Sequence, residues 1–441
     1  MKDGERERSD AGRSAGGRAG VGTRCVHAGF EPDRTGASVP PIHQTTSYAF
    51  ESAEQAADLY ALDAEGDVYS RISNPTVRAL ERRLAALEGG TGALATASGM
   101  AALDAATLVL AEAGDNVVTA ASIYGGTHAY LTHTAGRRGI EARFVDTLDY
   151  GGYEEAIDDR TAYVHCETVG NPALVVPDIE RLGAIAHEHG VPLLVDNTFA
   201  TPALCRPLER GADLVWESTT KWIHGSGTTV GGALIDGGSF PWAEYPERYP
   251  EVGGPNPAFH GTNFTTRFGE HAFARAARQR GARSLGGGQS PFDAWTTLQG
   301  LETLHLRMER HCENALRVAE FLDDHPDVAW VAYPGLESHE THANAREYLD
   351  GGFGGMIAFG LEGGYEAGKR FCEDVELATF LANVGDAKTL VIHPASTTHA
   401  QLSEEEQRAS GVTPDLVRLS VGIEDAADVL ADVESAIQHG R

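Results

Sequence analysis

Between about residues 75 and 235 the chain alternates short apolar runs with segments in which apolar residues recur every three or four positions. The runs at 92–97, 116–120, 142–145, 162–166, 192–195 and 214–216 have the length and composition of strands buried on both faces. The segments between them have helical spacing. Leu80, Leu84 and Leu87 mark one helix, opened by Asn74-Pro75 as N-cap and first-turn proline and stopped by Gly89-Gly90. Residues 178–189 carry another helical pattern. This alternation predicts an α/β fold whose mostly parallel sheet is covered on both sides.

After residue 290 the pattern changes. A long helical periodicity runs over 292–322, a Gly-rich strand region follows at 351–359, and a final helix is expected at 424–438. These segments read as a smaller C-terminal α/β domain. The intervening 237–290, rich in Gly, Pro, aromatics and Arg, reads as a structureless insertion, and a loop that long is usually functional or an interface. The organisation expected is a disordered tail at 1–22, an N-terminal arm at 23–74, a large domain at 75–290 and a C-terminal domain at 291–441. No internal repeat is visible.

Composition narrows the possibilities. Of 441 residues 41% are hydrophobic, enough for a sizeable core. Asp and Glu number 64 against 35 Lys and Arg, a net charge of −29 that argues against a nucleic-acid partner. The lysines are Lys2, Lys221, Lys369 and Lys388. An acidic chain so poor in lysine suggests work in high salt, where self-repulsion is screened. Cys25, Cys166, Cys205, Cys312 and Cys372 fit neither a disulfide framework nor a zinc site, and free thiols in a reducing cytoplasm are expected. No apolar run is long enough to span a membrane, and no secretory signal is read at the N-terminus.

Against this background one lysine stands out. Lys221, in Ser218-Thr219-Thr220-Lys221, directly follows the apolar run 214–216. It reads either as a Schiff-base lysine with phosphate-binding hydroxyls beside it or as a surface lysine in a polar loop. The run 192–195 ends in Asp196, and a strand buried on both faces rarely ends in a carboxylate without a partner. A protonated pyridine nitrogen would be such a partner; a loop-capping Asp is the plain alternative. Ser98-Gly99-Met100 opens a helix and suits a phosphate, or is an ordinary N-cap. Tyr124 could stack on a flat cofactor or fill core. Gly90-x-Gly92-x-x-Ala95 matches a dinucleotide fingerprint, but a helix precedes it and a strand follows, the inverse of the required context. The pairs His187/His189, His339/His342 and His393/His399 lack a carboxylate at metal-ligand spacing, so no metal is expected.

Together these segments resemble the Cys/Met-metabolism family of pyridoxal 5'-phosphate (PLP) enzymes. The motifs are Tyr69-Ser70-Arg71 through Asn74-Pro75-Thr76, Ser98-Gly99-Met100-Ala101-Ala102, Tyr124-Gly125-Gly126-Thr127, Glu167 with Asn171-Pro172, Asp196-Asn197-Thr198, Ser218 to Lys221, His393-Pro394-Ala395-Ser396 and Arg418-Leu419-Ser420-Val421-Gly422. The resemblance covers essentially residues 23–441. Within the family it is similar to the O-acetylhomoserine sulfhydrylases, on residues 290–304, 307–311 and 383–393.

The resemblance implies a fold-type I, aminotransferase-like transferase that uses PLP and replaces the acetyl ester of O-acetylhomoserine with sulfide. Cystathionine γ-synthase, γ-lyase or O-succinylhomoserine sulfhydrylase activity is the alternative on the same scaffold. It implies that Lys221 bonds the cofactor, Asp196 pairs with the pyridine nitrogen and Tyr124 stacks on the ring. Asn171 would serve cofactor and substrate carboxylate alike. Ser98, Gly99, Met100, Ser218 and Thr220 would hold the phosphate. Tyr69 and Arg71, on the arm, would reach the phosphate of a neighbouring subunit in a homotetramer. Arg418 and Thr389 would take the substrate carboxylate. Two departures from the family pattern are visible. His224-Gly225-Ser226-Gly227 stands where Gly-Gly-His-Gly is usual, and Lys388 stands where cystathionine-handling relatives tend to carry Glu. A Lys at 388 would repel a second amino acid's ammonium and favour a small anion such as hydrosulfide.

Overall fold

A computed structural model of the chain describes residues 19–439 apart from 33–34, 402, 404–406 and 408–410. Seven strands form the large sheet: β1 (Gly92–Thr96), β2 (Asn116–Ala120), β3 (Glu141–Val145), β4 (Thr161–Glu167), β5 (Leu193–Asp196), β6 (Leu214–Glu217) and β7 (Gly232–Asp236). Their spatial order is β1-β7-β6-β5-β4-β2-β3. β7 runs antiparallel to both neighbours and the other pairs are parallel. Every residue of β2 and of β4 through β7 is buried, which is why those runs are apolar without alternation.

The helix boundaries follow the capping chemistry. Asn74 Oδ1 accepts the N–H of Thr76 to open the helix Pro75–Glu88, and Gly89 closes it with φ +80°. Asp178 caps the helix Ile179–Glu188 through the N–H of Arg181.

Three expectations are corrected. The expected tail at 1–22 lies largely outside the described residues, but its last two residues start a helix, Val21–His27, held by buried Cys25. The expected single helix over 292–322 is two, Pro291–Leu301 and Leu304–Asp323. At the break the Gly300 carbonyl accepts from Arg307 Nη2, 2.8 Å. The insertion 237–290 is not structureless. It holds the ribbon β8 (Pro255–Asn256) and β9 (Thr262–Asn263), short helices at Phe264–Phe268 and Ala272–Ala277, and a π-helical turn at Arg278–Ser284. Trp242, Tyr249, Phe264 and Phe273 are buried there, and Trp242 stacks on Phe273 with ring centroids 5.3 Å apart. Its aromatics fill core, so its composition misled as to its order.

The second sheet has the order β10-β11-β14-β13-β12. Its strands are β10 (Val328–Ala332), β11 (Met356–Leu361), β12 (Thr379–Phe380), β13 (Leu390–Ile392) and β14 (Leu416–Ser420). The final helix is Ala426–His439. Val417 and Leu419 of β14 face the core of this smaller unit, whereas Leu416 belongs to the core of the large one. Period-two alternation therefore turns Leu416, Arg418 and Ser420 toward the large sheet. All five cysteines are free and buried. Among the described residues no helix is long and apolar enough to cross a membrane.

Candidate active site

Of the groups singled out in the sequence, Tyr124, Glu167, Asp196, Ser218 and Lys221 stand at or just beyond the ends of β2, β4, β5 and β6, and Ser98 just beyond β1, whereas Tyr69 and Arg71 stay on the arm. In open α/β sheets ligands bind beyond the carboxyl ends of the strands. Asp196 ends β5 and lies opposite Glu167, the end of β4, in the parallel register. Both carboxyls are nearly inaccessible to solvent. Asp196 Oδ1 accepts the N–H of Thr198, 2.9 Å, and the Thr198 hydroxyl accepts the N–H of Ser218, 2.9 Å. Burial raises the proton affinity of Asp196, and Glu167 is raised by burial and then by Asp196. No cation among the described residues is bonded to Asp196.

Lys221 follows β6 by a short turn. Its Nζ donates to Asn383 Oδ1 at 2.5 Å. Burial, and then the charge of Arg418, lower its pKa from the ordinary 10.5 to about 8. A lysine in that state keeps a sizeable neutral fraction near neutral pH and can act as nucleophile or base. The turn behind it is fixed by Arg307, whose Nη1 and Nη2 donate to the carbonyls of Trp222 (2.5 Å) and Ile223 (3.0 Å).

Arg418 reaches in from β14. Its Nη1 donates to Asn171 Oδ1 at 3.2 Å, while its buried Nε has no partner among the described residues. Burial lowers its pKa to about 10. An unsatisfied guanidinium donor beside a desolvated amine is a receptor for a carboxylate. Tyr124, about half exposed, stands next to these groups at the end of the β2 loop.

Ser98 Oγ caps the helix Gly99–Leu110 through the N–H of Ala101. A Cβ on Gly99 would come within 2.9 Å of Ser218 Cβ, so only glycine lets this helix start lie against the Ser218 turn. The Thr220 hydroxyl donates to the Gly231 carbonyl and accepts the Gly231 N–H. Tyr69 and Arg71 are exposed on the arm, with the Arg71 guanidinium over the Tyr69 ring at 5.3 Å and bonded to the Arg283 carbonyl.

Two side chains are committed to other partners. The Thr389 hydroxyl donates to Glu424 Oε2 (3.0 Å) and accepts the Gly422 N–H, and its backbone N–H goes to Glu424 Oε1. It braces the turn after β14, and the geometry gives it no donor to spare for a substrate. Lys388 Nζ is paired with Asp386 Oδ1 at 2.7 Å and is largely exposed. Its charge is compensated locally, which corrects the argument that it attracts a small anion.

The displaced histidine has an explanation. His224 Nε2 bonds the hydroxyls of Ser226 (2.8 Å) and Thr228 (2.7 Å), so the imidazole lies against position 226 from two residues upstream. Asn383 and Arg307 were missed as site residues. Each sat inside a motif read only for its likeness, and their partners are 162 and 85 residues away in sequence.

A family profile, Cys/Met metabolism PLP-dependent enzyme, matches residues 22–438. This chain belongs to that family. It is 51% identical over 415 residues to O-acetyl-L-homoserine sulfhydrylase 1 of Thermus thermophilus, covering 93% of this chain and 98% of the relative. It is 48% identical to the homocysteine synthase of Schizosaccharomyces pombe, covering 94% and 97% of the two chains. A crystal structure of a Campylobacter jejuni protein assigned as an O-acetylhomoserine (thiol)-lyase superposes with TM-score 0.91 at 40% identity, over 95% of this chain and 99% of that one. A lysine of that protein carries a pyridoxyl 5'-phosphate group. Like other members, the present protein is a PLP-dependent enzyme with the family's fold of a large and a small α/β unit.

Proposed function

We propose that this family member is an O-acetylhomoserine sulfhydrylase of the aminocarboxypropyltransferase type, converting O-acetylhomoserine and sulfide to homocysteine and acetate. The observation that carries the reading is Lys221 Nζ, a desolvated amine held by Asn383 Oδ1 and near enough to the under-satisfied Arg418 to feel its charge. The relatives named as sulfhydrylases and homocysteine synthases, matched over nearly their whole length, supply the substrate.

The residues present fit PLP. Asp196 is a buried carboxyl, hydrogen-bonded to Thr198 and with no cation bonded to it among the described residues, which suits a protonated pyridine nitrogen. The helix start at Gly99, brought against the Ser218 turn with no side chain between, suits a phosphate. Lys221 would be the attachment lysine, Ser98, Gly99, Met100, Ser218 and Thr220 would hold the phosphate, Tyr124 would stack on the cofactor and Asn171 would hydrogen-bond it. When bound, the cofactor supplies the electron sink for the charge left as a proton leaves the substrate's Cα.

The chain's own residues do the rest. Arg418 grips the substrate carboxylate bidentately, with Asn171 holding its Nη1. Lys221 Nζ, poised by its low pKa, takes the Cα proton, and Asn383 Oδ1 keeps the amine over the site between transfers. A further proton leaves Cβ, the Cγ–O bond to acetate breaks and a Cγ–S bond to hydrosulfide forms; the protons taken from Cβ and Cα are then returned to those carbons, so that homocysteine leaves with both restored. One anion enters and one leaves, so charge balances.

Tyr69 and Arg71, exposed on the arm, serve the phosphate of a neighbouring subunit, and the assembly is a homotetramer with shared sites. Five buried free thiols suit a cytoplasmic enzyme. The test is a product assay with added PLP, in molar and in dilute salt. O-acetylhomoserine is offered with sulfide in one reaction and with cysteine in another. Homocysteine in the first and little cystathionine in the second is expected, with higher activity in molar salt. Cystathionine as the main product would move the enzyme to the synthase branch.

A further inference from the structure

Glu167 has no role in the chemistry above, yet it sits under two residues that do. Its Oε1 accepts the backbone N–H of Tyr124 at 2.6 Å and its Oε2 accepts the backbone N–H of Asn171 at 3.1 Å. One carboxyl therefore bridges the loop after β2 to the loop after β4. A second contact joins the same two loops independently. A Cβ on Gly170 would fall 2.5 Å from the Ser122 carbonyl oxygen and 3.0 Å from its hydroxyl. The loops thus touch backbone to backbone, and only a residue without a side chain permits it.

We propose that Glu167, with Gly170 as the contact that lets the loops close, is a positioning residue that sets the distance between Tyr124 and Asn171 and thereby aims Arg418 at the substrate carboxylate. The chain of contacts is short: Glu167 holds the Asn171 backbone, and the Asn171 side chain accepts from Arg418 Nη1. Both oxygens of Glu167 are acceptors to N–H donors, a demand that a carboxylate meets and a carboxamide does not. In Glu167→Gln the amide nitrogen would face one of the two N–H groups, releasing one loop while leaving volume unchanged. Glu167→Asp keeps two acceptors but is one methylene too short to reach both loops without strain. Buried Asp196 lies opposite Glu167 in the strand register and raises its proton affinity further, so the clamp and the carboxyl proposed to pair with the cofactor sit side by side at the strand ends.

This inference rests on the site assignment above, so the measurement is chosen to stand apart from turnover. Binding of homoserine, which lacks the acetyl leaving group, is followed by the visible absorbance of the holoenzyme. PLP content per chain and melting temperature are measured alongside. Glu167→Gln and Gly170→Ala should each weaken homoserine binding at least tenfold, the size of one lost charge-assisted hydrogen bond in a buried site. Each should keep full PLP content, and in turnover KM should rise more than kcat falls. Glu167→Asp should lie between Gln and wild type. Wild-type homoserine affinity in either Glu167→Gln or Gly170→Ala overturns the proposal. If Glu167→Gln does not fold, Gly170→Ala decides alone; if neither yields folded holoenzyme, the clamp is structural and the positioning role is refuted. Should the wild type bind homoserine but form no homocysteine from sulfide, the substrate reading fails while the clamp is still scored.

Discussion

The two sheets contribute to one site by opposite devices. The large sheet places its chemistry at strand ends: Glu167 closes β4, Asp196 closes β5, and Lys221 follows β6. The small sheet places its chemistry in mid-strand. Arg418 lies between Ala358 of β11 and Ile392 of β13, with ladder hydrogen bonds on both sides. A strand end gives freedom, because loop N–H groups can turn toward a ligand and side chains can reposition. A central strand gives rigidity, because its side-chain direction is fixed by the pleat. The division matches the tasks. In the mechanism proposed above Lys221 moves between bonding partners, whereas Arg418 holds a carboxylate still.

The largest effect should come from the mobile partner. Lys221→Ala removes both the proposed attachment amine and the proposed proton carrier, and turnover should fall by about 10⁴-fold or more while the fold persists. A product assay and a far-ultraviolet spectrum on one preparation check it; retained turnover would transfer the role to another base. Next is the rigid partner. Arg418→Ala should raise KM for the amino acid by roughly 10²- to 10³-fold, as expected for a lost buried charge pair, and Arg418→Lys should recover only part of it because a single ammonium cannot grip both oxygens. Equal KM values for Ala and wild type would remove Arg418 from the substrate site.

How far the sequence disclosed this comparison depends on which sheet is considered. In the large one, uninterrupted apolar runs ending in Asp196 or running into Ser218-Thr219-Thr220-Lys221 were legible, because both faces of those strands are buried and any polar terminus is conspicuous. In the small one, Arg418 interrupts an apolar strand, but its target could be assigned only through likeness to the family. Contacts between distant segments were hidden. Nothing in the local pattern around Asn383 says that it meets Lys221, nor around Thr389 that Glu424 takes its hydrogen-bonding capacity. The insertion at 237–290 was misread for a related reason. Its aromatics have no helical or strand period, because they pack as a cluster in which Phe240, Trp242, Tyr249 and Phe273 meet edge or face.

The link between the two devices can be sharpened by pH. Burial first and Arg418 second lower Lys221 to about 8, a base whose neutral form therefore appears earlier as pH rises. Uptake of PLP by the cofactor-free protein should quicken about tenfold per pH unit up to about 8 and then level off. An ordinary lysine would keep accelerating to above pH 10. In Arg418→Ala, with the neighbouring positive charge gone, the break should move to higher pH. A stopped-flow series over pH 6–10 on both proteins gives the answer, and coincident breaks would uncouple the two sheets.

The smallest effect concerns Lys388. Read from the sequence, it was the attractor for hydrosulfide. In the structure its ammonium is spent on Asp386, whose Oδ1 also accepts the Lys388 backbone N–H. A pair this exposed on the lysine side is worth ~0.2–1 kcal/mol, a factor of about five at most. Lys388→Ala should therefore change KM for sulfide by less than about fivefold. It should also leave cystathionine a minor product when cysteine is offered. Asp386→Asn is the informative companion, because it frees the ammonium that the pairing now neutralises. If that variant lowers KM for sulfide while Lys388→Ala does nothing, the charge at 388 is latent and Asp386 keeps it so. If Lys388→Ala alone raises KM for sulfide tenfold, the ion pair opens during turnover and the lysine does face the nucleophile.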